Sequence, residues 1–186
     1  KAGNEHLKAQ LGPQKAIIAE RLKKIYSHKI DAAKIRVHGD LQLEKVLLTG
    51  KSFTIFNFEG ERTRSFSELR LRKSPLRDVA SLCNSLFYAA GSAFAQQVQP
   101  AGLLETAWLP FAETWYAVMQ EAFLSSYLPI ARAAGLLPDG EEDVAMLLDT
   151  FLMERYLYEL GYELRSQRGW EEVPAAGLLH LLRQKG

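Results

Sequence analysis

The hydrophobic period of this chain changes once, and briefly, and that change limits the folds open to it. Helical spacing marks residues 5–30, broken near Gly12-Pro13 and resuming with Ile17, Ile18, Leu22 and Ile25. Short β-type runs follow at Ile35 and Val37, Val46 to Leu48, and Phe53 to Phe56. Thr49-Gly50-Lys51 is a turn that joins the last two as a hairpin. A polar, Arg-rich connection then runs from Glu61 to Ser74. Ser74 as cap and Pro75 in the first turn open a helical region that lasts almost to the end. Val79, Leu82, Cys83, Leu86, Phe87 and Ala90 form its first apolar stripe, which Pro100 and Gly102 interrupt. A second helical region over 103–134 is expected to bend or split at Pro110 and Pro129. After a loop from Gly135 to Gly140, in which Asp139 caps or precedes the next helix, Val144, Leu147, Leu148, Phe151 and Leu152 start a long helix ending near Arg165. Trp170 and a short helix around 175–183 finish the chain. The pattern predicts a mainly α fold with a small β-hairpin insertion, one domain over 1–186, in which residues 31–61 form the loop-and-hairpin segment.

The 186 residues suffice for one real core, and 47% hydrophobic with 24% charged residues is ordinary for a globular protein. A formal net charge of +1 gives no electrostatic footprint for nucleic acid or an anionic membrane. No apolar stretch is long and uncharged enough to span a bilayer, and no signal peptide is visible. The single cysteine, Cys83, excludes an internal disulfide and fits a reducing, cytoplasmic compartment. The start at Lys-Ala-Gly-Asn, without an initiator Met, reads as a fragment of something larger.

The motifs sit in the segment that changes period. His38-Gly39-Asp40 is followed by Leu-Gln-Leu-Glu44-Lys45, and the hairpin is followed by Asn57-Phe58-Glu59-Gly60. Further on come Ser67-Glu68-Leu-Arg70, then Ser74-Pro75-Leu76-Arg77-Asp78-Val79-Ala80, Ala112-Glu113-Thr-Trp115-Tyr116, and Glu154 through Leu164. In this order these motifs resemble maltokinases, including the kinase-like domain fused behind trehalose synthase. That family's loop reads approximately His-Gly-Asp-Tyr-His-Leu-Gly-Gln-Val-Leu and its hairpin ends Asp-Phe-Glu-Gly-Glu. The likeness covers roughly residues 31–182.

The resemblance implies the helical C-terminal lobe of a protein-kinase-like, aminoglycoside-phosphotransferase-like fold. It also implies an N-terminal ATP lobe that residues 1–34, helical in pattern, do not supply. The family uses ATP and Mg to phosphorylate the anomeric hydroxyl of maltose. By that likeness Asp40, in a loop opened by His38, orients the acceptor hydroxyl and takes its proton. Asn57 stands where the family has a metal-binding Asp, and Lys45 where it has an amide ligand. Mg²⁺ prefers anionic oxygens, and an ammonium has no lone pair to offer it. At ~4 Å and an effective dielectric of ~20, a unit charge repels another by about 4 kcal/mol, doubled for a divalent ion. Glu59 and Glu44 remain as carboxylates, and Lys45 could itself neutralise a phosphate. The set Asn57, Lys45 and Glu59 is therefore a degenerate metal site, and no cofactor is expected for this chain.

Arg77 and Asp78 read as structural, the Asp bracing the loop through backbone N–H groups. For the acceptor, Glu154, Tyr158 and Tyr162 recur every four residues, beside a row of Glu159 and Glu163. With Trp170 they either line a sugar groove or divide into core aromatics and solvated carboxylates. Trp108, Trp115 and Tyr116 read as core. Three functions stay open at this point: a lobe with impaired phosphotransfer and a structural or maltose-binding role, the acceptor half of an active maltokinase, and a non-catalytic docking module for trehalose synthase. The expected partners are maltose or a related α-glucoside, a trehalose synthase domain or subunit, the missing ATP lobe, and a second copy of the chain through an exposed apolar patch.

Overall fold

The computed structural model describes residues 2–27, 29–60, 65–95 and 109–184. Helices α1 (Ala2–Leu11) and α2 (Lys15–Lys24) are joined by a 3₁₀ turn at Gly12–Gln14, so the Gly-Pro break tightens the helix rather than opening a loop. Strands β1 (Val46–Thr49) and β2 (Ser52–Ile55) pair antiparallel, with Val46 opposite Ile55 and Thr49 opposite Ser52. Their two-residue turn places Gly50 at φ 66°, a conformation that suits a residue without Cβ. Ile35 and Val37 do not form a strand; Ile35 makes one isolated bridge with Lys73.

Four helices carry the core: α4 (Leu76–Ala95), α5 (Leu109–Ala133), α6 (Glu141–Ser166) and α7 (Glu172–Arg183), after a short α3 (Phe66–Leu69). Helix α3 sits in the connection read as irregular, and a capping box closes it. The Ser65 hydroxyl accepts from the Glu68 N–H while the Glu68 carboxylate accepts from the Ser65 N–H. Ser74 Oγ accepts from Leu76 N at 3.3 Å where α4 begins. Val79, Cys83, Leu86 and Phe87 of α4 face Phe151, Leu152, Met153 and Tyr156 of α6 and Val173, Leu178 and Leu181 of α7. Burial pushes the Cys83 thiol up to about 12, which makes it a packing group. Gly177 is where α7 comes closest: a Cβ there would lie 2.3 Å from the Tyr156 ring.

Two expectations are corrected. Helix α5 is not split: Pro110 lies in its first turn, and Pro129 is carried inside the helix near its C-terminal end, at the loss of one backbone hydrogen bond. Trp115 is 38% exposed and so not a core residue, whereas its neighbour Tyr116 is 2% exposed and stacks edge-on against Phe87. Gly140 is the N-cap residue of α6 and Asp139 precedes it, one of the two places expected for it. Pro100, Gly102, Trp108 and the residues from Glu61 to Arg64 lie outside the described residues. At the end of α5, Leu136 N–H reaches back to the Ala131 carbonyl at 3.0 Å while Gly135 takes φ 66°. Helix α2 is fixed by Arg21, whose guanidinium donates to the Leu181 and Leu182 carbonyls at 3.2 and 3.0 Å. Among the described residues no helix is long and apolar enough to cross a membrane.

Candidate functional site

The loop that precedes the hairpin is seated on the N-terminal turn of α4. Asp78 accepts from the backbone N–H of His38 at 2.7 Å and of Gly39 at 2.9 Å, one with each carboxylate oxygen. Gly39 adopts φ 84°, which lets the two N–H groups converge on one side chain. Ser85 Oγ, one helical stretch further on, accepts from Leu43 N at 3.1 Å. The loop is thus fixed at two points on one helix.

His38 is a second brace. Its Nε2–H donates to the Phe56 carbonyl at 2.9 Å, and its Nδ1 accepts from Asp40 N at 3.3 Å. Both ring nitrogens are used, the ring packs 4.8 Å from Phe58, and His38 does not line the cleft described below. His38 thus braces the loop against the hairpin and, among the described residues, stands outside the set that lines the cleft.

Asp40 is 15% exposed in its side chain and surrounded by donors. Oδ2 pairs with the Lys45 ammonium, which also donates to the Asp40 carbonyl at 3.1 Å. Oδ1 accepts from Gln42 Nε2 at 2.8 Å and from Arg155 at 3.1 Å. Burial alone would raise the carboxyl's pKa; the Lys45 and Gln42 hydrogen bonds and the Arg155 charge outweigh it and hold the group below its ordinary value. Arg155 continues the alternation of sign, reaching Glu159 at 2.5 Å. The sequence reading missed Arg155, although its i,i+4 spacing to Glu159 was available.

Above this floor lies an open cleft of about 740 Å³ between α4 and α6. Tyr158, Glu159, Tyr162 and Glu163 line it from α6. Glu163 is only 1% exposed and is engaged internally, accepting from Tyr88 OH at 2.7 Å and from Arg168 at 2.5 Å. Burial pushes the Glu159 carboxyl up, against the pull of Arg155, and the net shift is upward. Two acceptor residues expected here lie elsewhere. Glu154 pairs with Arg77 at 2.8 Å and borders a separate cavity of about 70 Å³; Arg77 also lies over the Phe151 ring. Trp170 stacks behind the wall on Tyr88, centroids 6.4 Å apart, and packs on the core. The opposite wall was missed: Asn84, Ser85, Tyr88 and Ser92 form a polar row on α4. Their spacing was legible, but the apolar stripe on the same helix masked it.

A divalent cation does not fit the degenerate metal set. Lys45 holds the Asp40 oxygens, Asn57 lines the cleft with a neutral amide at φ 66°, and Glu59 does not border the cleft. Among the described residues no three His, Cys, Asp or Glu side chains converge to hold a metal.

The architecture, a helical bundle with a two-stranded hairpin ahead of it, has the fold of part of a kinase. No protein-family profile matches the chain. Among solved structures, it is similar to a glucosamine kinase (crystal form A) with a TM-score of 0.77 and 20% identity, over 96% of this chain and 42% of that one. The glucosamine kinase complex with glucosamine, ADP and inorganic phosphate matches with a TM-score of 0.76 and 21% identity, over 95% of this chain and 40% of that one. At that identity the likeness shows the fold, and the chain spans about two fifths of the length of these kinases.

Proposed function

We propose that the chain is the helical C-terminal lobe of a maltokinase-like protein, in a trehalose synthase–maltokinase setting, that retains an acceptor cleft and has impaired phosphotransfer. The observation that carries this reading is the state of Asp40. A carboxylate that must accept a hydroxyl proton works best with a pKa near the operating pH and a free oxygen facing the acceptor. Here both oxygens are engaged by cationic or amide donors and the pKa is lowered, so the group is a weak base in a closed network. Above it the cleft is intact, and its tyrosines and carboxylate suit a maltose-like α-glucoside. Calorimetric titration with maltose and, separately, with Mg·ATP tests this. Maltose heat without Mg·ATP heat is expected; Mg·ATP binding would overturn the account of Lys45 and Asn57.

A second reading is favoured by the hairpin. Leu48, Phe53 and Phe58 are 69%, 71% and 58% exposed, an unusual concentration of apolar surface. In the solved kinases of this fold most of the chain lies outside the matched region. Those two facts support a docking role for this face, and we propose an ATP-binding lobe or trehalose synthase as its occupant.

A further inference from the structure

The segment between α2 and the loop carries a short edge of sheet that neither the cleft nor the hairpin uses. Ile35 and Lys73 exchange both backbone hydrogen bonds, each 2.9 Å, as an antiparallel bridge. In such a ladder the N–H and C=O groups of the flanking residues point away from the partner strand. Those of Lys34 and Arg36 therefore face the other way, and they have no hydrogen-bond partner among the described residues. Both residues are exposed, so this is an open edge of the kind to which an extended chain can add a strand.

The same edge carries charge of one sign. The antiparallel register sets Arg36 opposite Arg72, and Lys34, two residues before Arg36, lies on its side of the strand. All three are exposed while Ile35 and Lys73 between them are half-buried, so the side chains alternate as those of a strand do. None of the three is paired with a carboxylate among the described residues. Asp31 is the one acidic residue in residues 29–36 and 70–76 together, whereas Lys29 and Arg70 add to the cations. Like charges set opposite each other across a ladder destabilise it, so the pattern costs the chain stability unless an anion completes it.

These two observations separate the occupants. Nucleic acid and an anionic membrane offer charge but no row of backbone groups to continue the ladder. A second copy offers strands of the wrong charge: its own edge is equally cationic, and β1 and β2 contain no carboxylate. An extended acidic peptide supplies both needs. Its backbone completes the edge, and carboxylates at alternate positions, ~7 Å apart, meet the cations along one face. We propose that the edge at residues 34–36 is a docking site for an extended, acidic segment of a partner protein, which adds as a strand and is held by Lys34, Arg36 and Arg72.

The test titrates the intact chain with a fluorescent peptide that alternates Glu with Thr, read by anisotropy at physiological ionic strength. The same peptide N-methylated at alternate residues, an oligo-dT strand and phosphatidylserine vesicles serve as competitors. The unmethylated peptide is expected to bind, and the double variant Arg36→Gln, Arg72→Gln should weaken it about tenfold. Its melting temperature should stay level or rise, because a repulsion across the ladder has been removed. Lys15→Gln with Lys23→Gln, which removes cations from α2 instead, should leave the affinity within about twofold. Methylation keeps the charge and blocks the ladder, so the methylated peptide should compete about tenfold less well. Peptide affinity that survives the arginine substitutions, or equal competition by the methylated peptide, the oligonucleotide or the vesicles, overturns the proposal. So does a wild-type chain that does not bind the peptide, and neither result touches the acceptor cleft.

Discussion

At the scale of single residues, the Lys45–Asp40 contact decides most of what the loop can do. It is largely buried, and it joins the carboxylate that the proposed function makes the proton acceptor to a cation at a position where that reading expects a metal ligand. Removing one partner of such a pair leaves the other charge stranded. Lys45→Gln is therefore expected to destabilise the chain by about 3 kcal/mol, read from the urea midpoint. A change under ~0.5 kcal/mol would show that the contact is solvent-equivalent. Combining Lys45→Gln with Asn57→Asp should create affinity for Mn²⁺, seen as loss of its free EPR signal, where the wild type shows none.

The carboxyls also set a pH dependence. Asp40's folded pKa lies below its ordinary 3.8, so its contribution is present above that value and is lost as pH falls through the folded value. Glu159 has the opposite sign: burial raises it above 4.5, so its unfavourable contribution is relieved as pH falls through the raised value. Between pH 7 and pH 3 the wild type should lose more stability than Asp40→Asn and less than Glu159→Gln. Parallel pH profiles for all three in chemical denaturation would refute both assignments.

At the scale of elements, the packing of α7 on α6 is close because Gly177 lacks a side chain. Gly177→Ala drives a methyl into the Tyr156 ring and is expected to cost about 2 kcal/mol, with a lower melting temperature and an unchanged sugar cleft. The helices themselves were legible. The stripes on α4 and α6 have the right period, and most of their residues are buried, Leu82 and Leu148 only partly so. The hairpin was equally plain because Gly50 marks its turn. The capping box of α3 was readable and was passed over within a charged stretch. What could not be read was which long-range pairs form. Arg155 meets Asp40 across 115 residues of sequence, and nothing local to either announces it. Asn84 and Ser85 sit on a helix whose apolar signal is stronger, and Glu163 could be read either as lining a groove or as solvated because its partner Tyr88 lies on another helix. Trp115 was misplaced because α5 is apolar on more than one side, with Phe111 and Val118 also exposed.

At the scale of the molecule, the bundle and the hairpin differ in character. The bundle buries Phe87, Tyr116, Phe151 and Tyr156 in its core, while the hairpin leaves most of its apolar side chains in solvent. Replacing Leu48 and Phe53 together by Ser is expected to abolish concentration-dependent self-association in sedimentation velocity without altering the melting temperature. Identical sedimentation before and after would exclude this face as a contact surface.

The bridge between Ile35 and Lys73 has its own consequence. Two reciprocal hydrogen bonds, each 2.9 Å, bring the chain back beside its point of departure before α4 starts. The described residues between 36 and 72 are thereby an insertion with a fastened neck, held besides only where Asp78, Ser85 and Arg155 grip its loop. Neither Asn57 nor Glu59 belongs to the core cluster of the bundle. Such an arrangement lets the sequence beyond the neck drift, or be exchanged for another, while the body that carries it goes on folding.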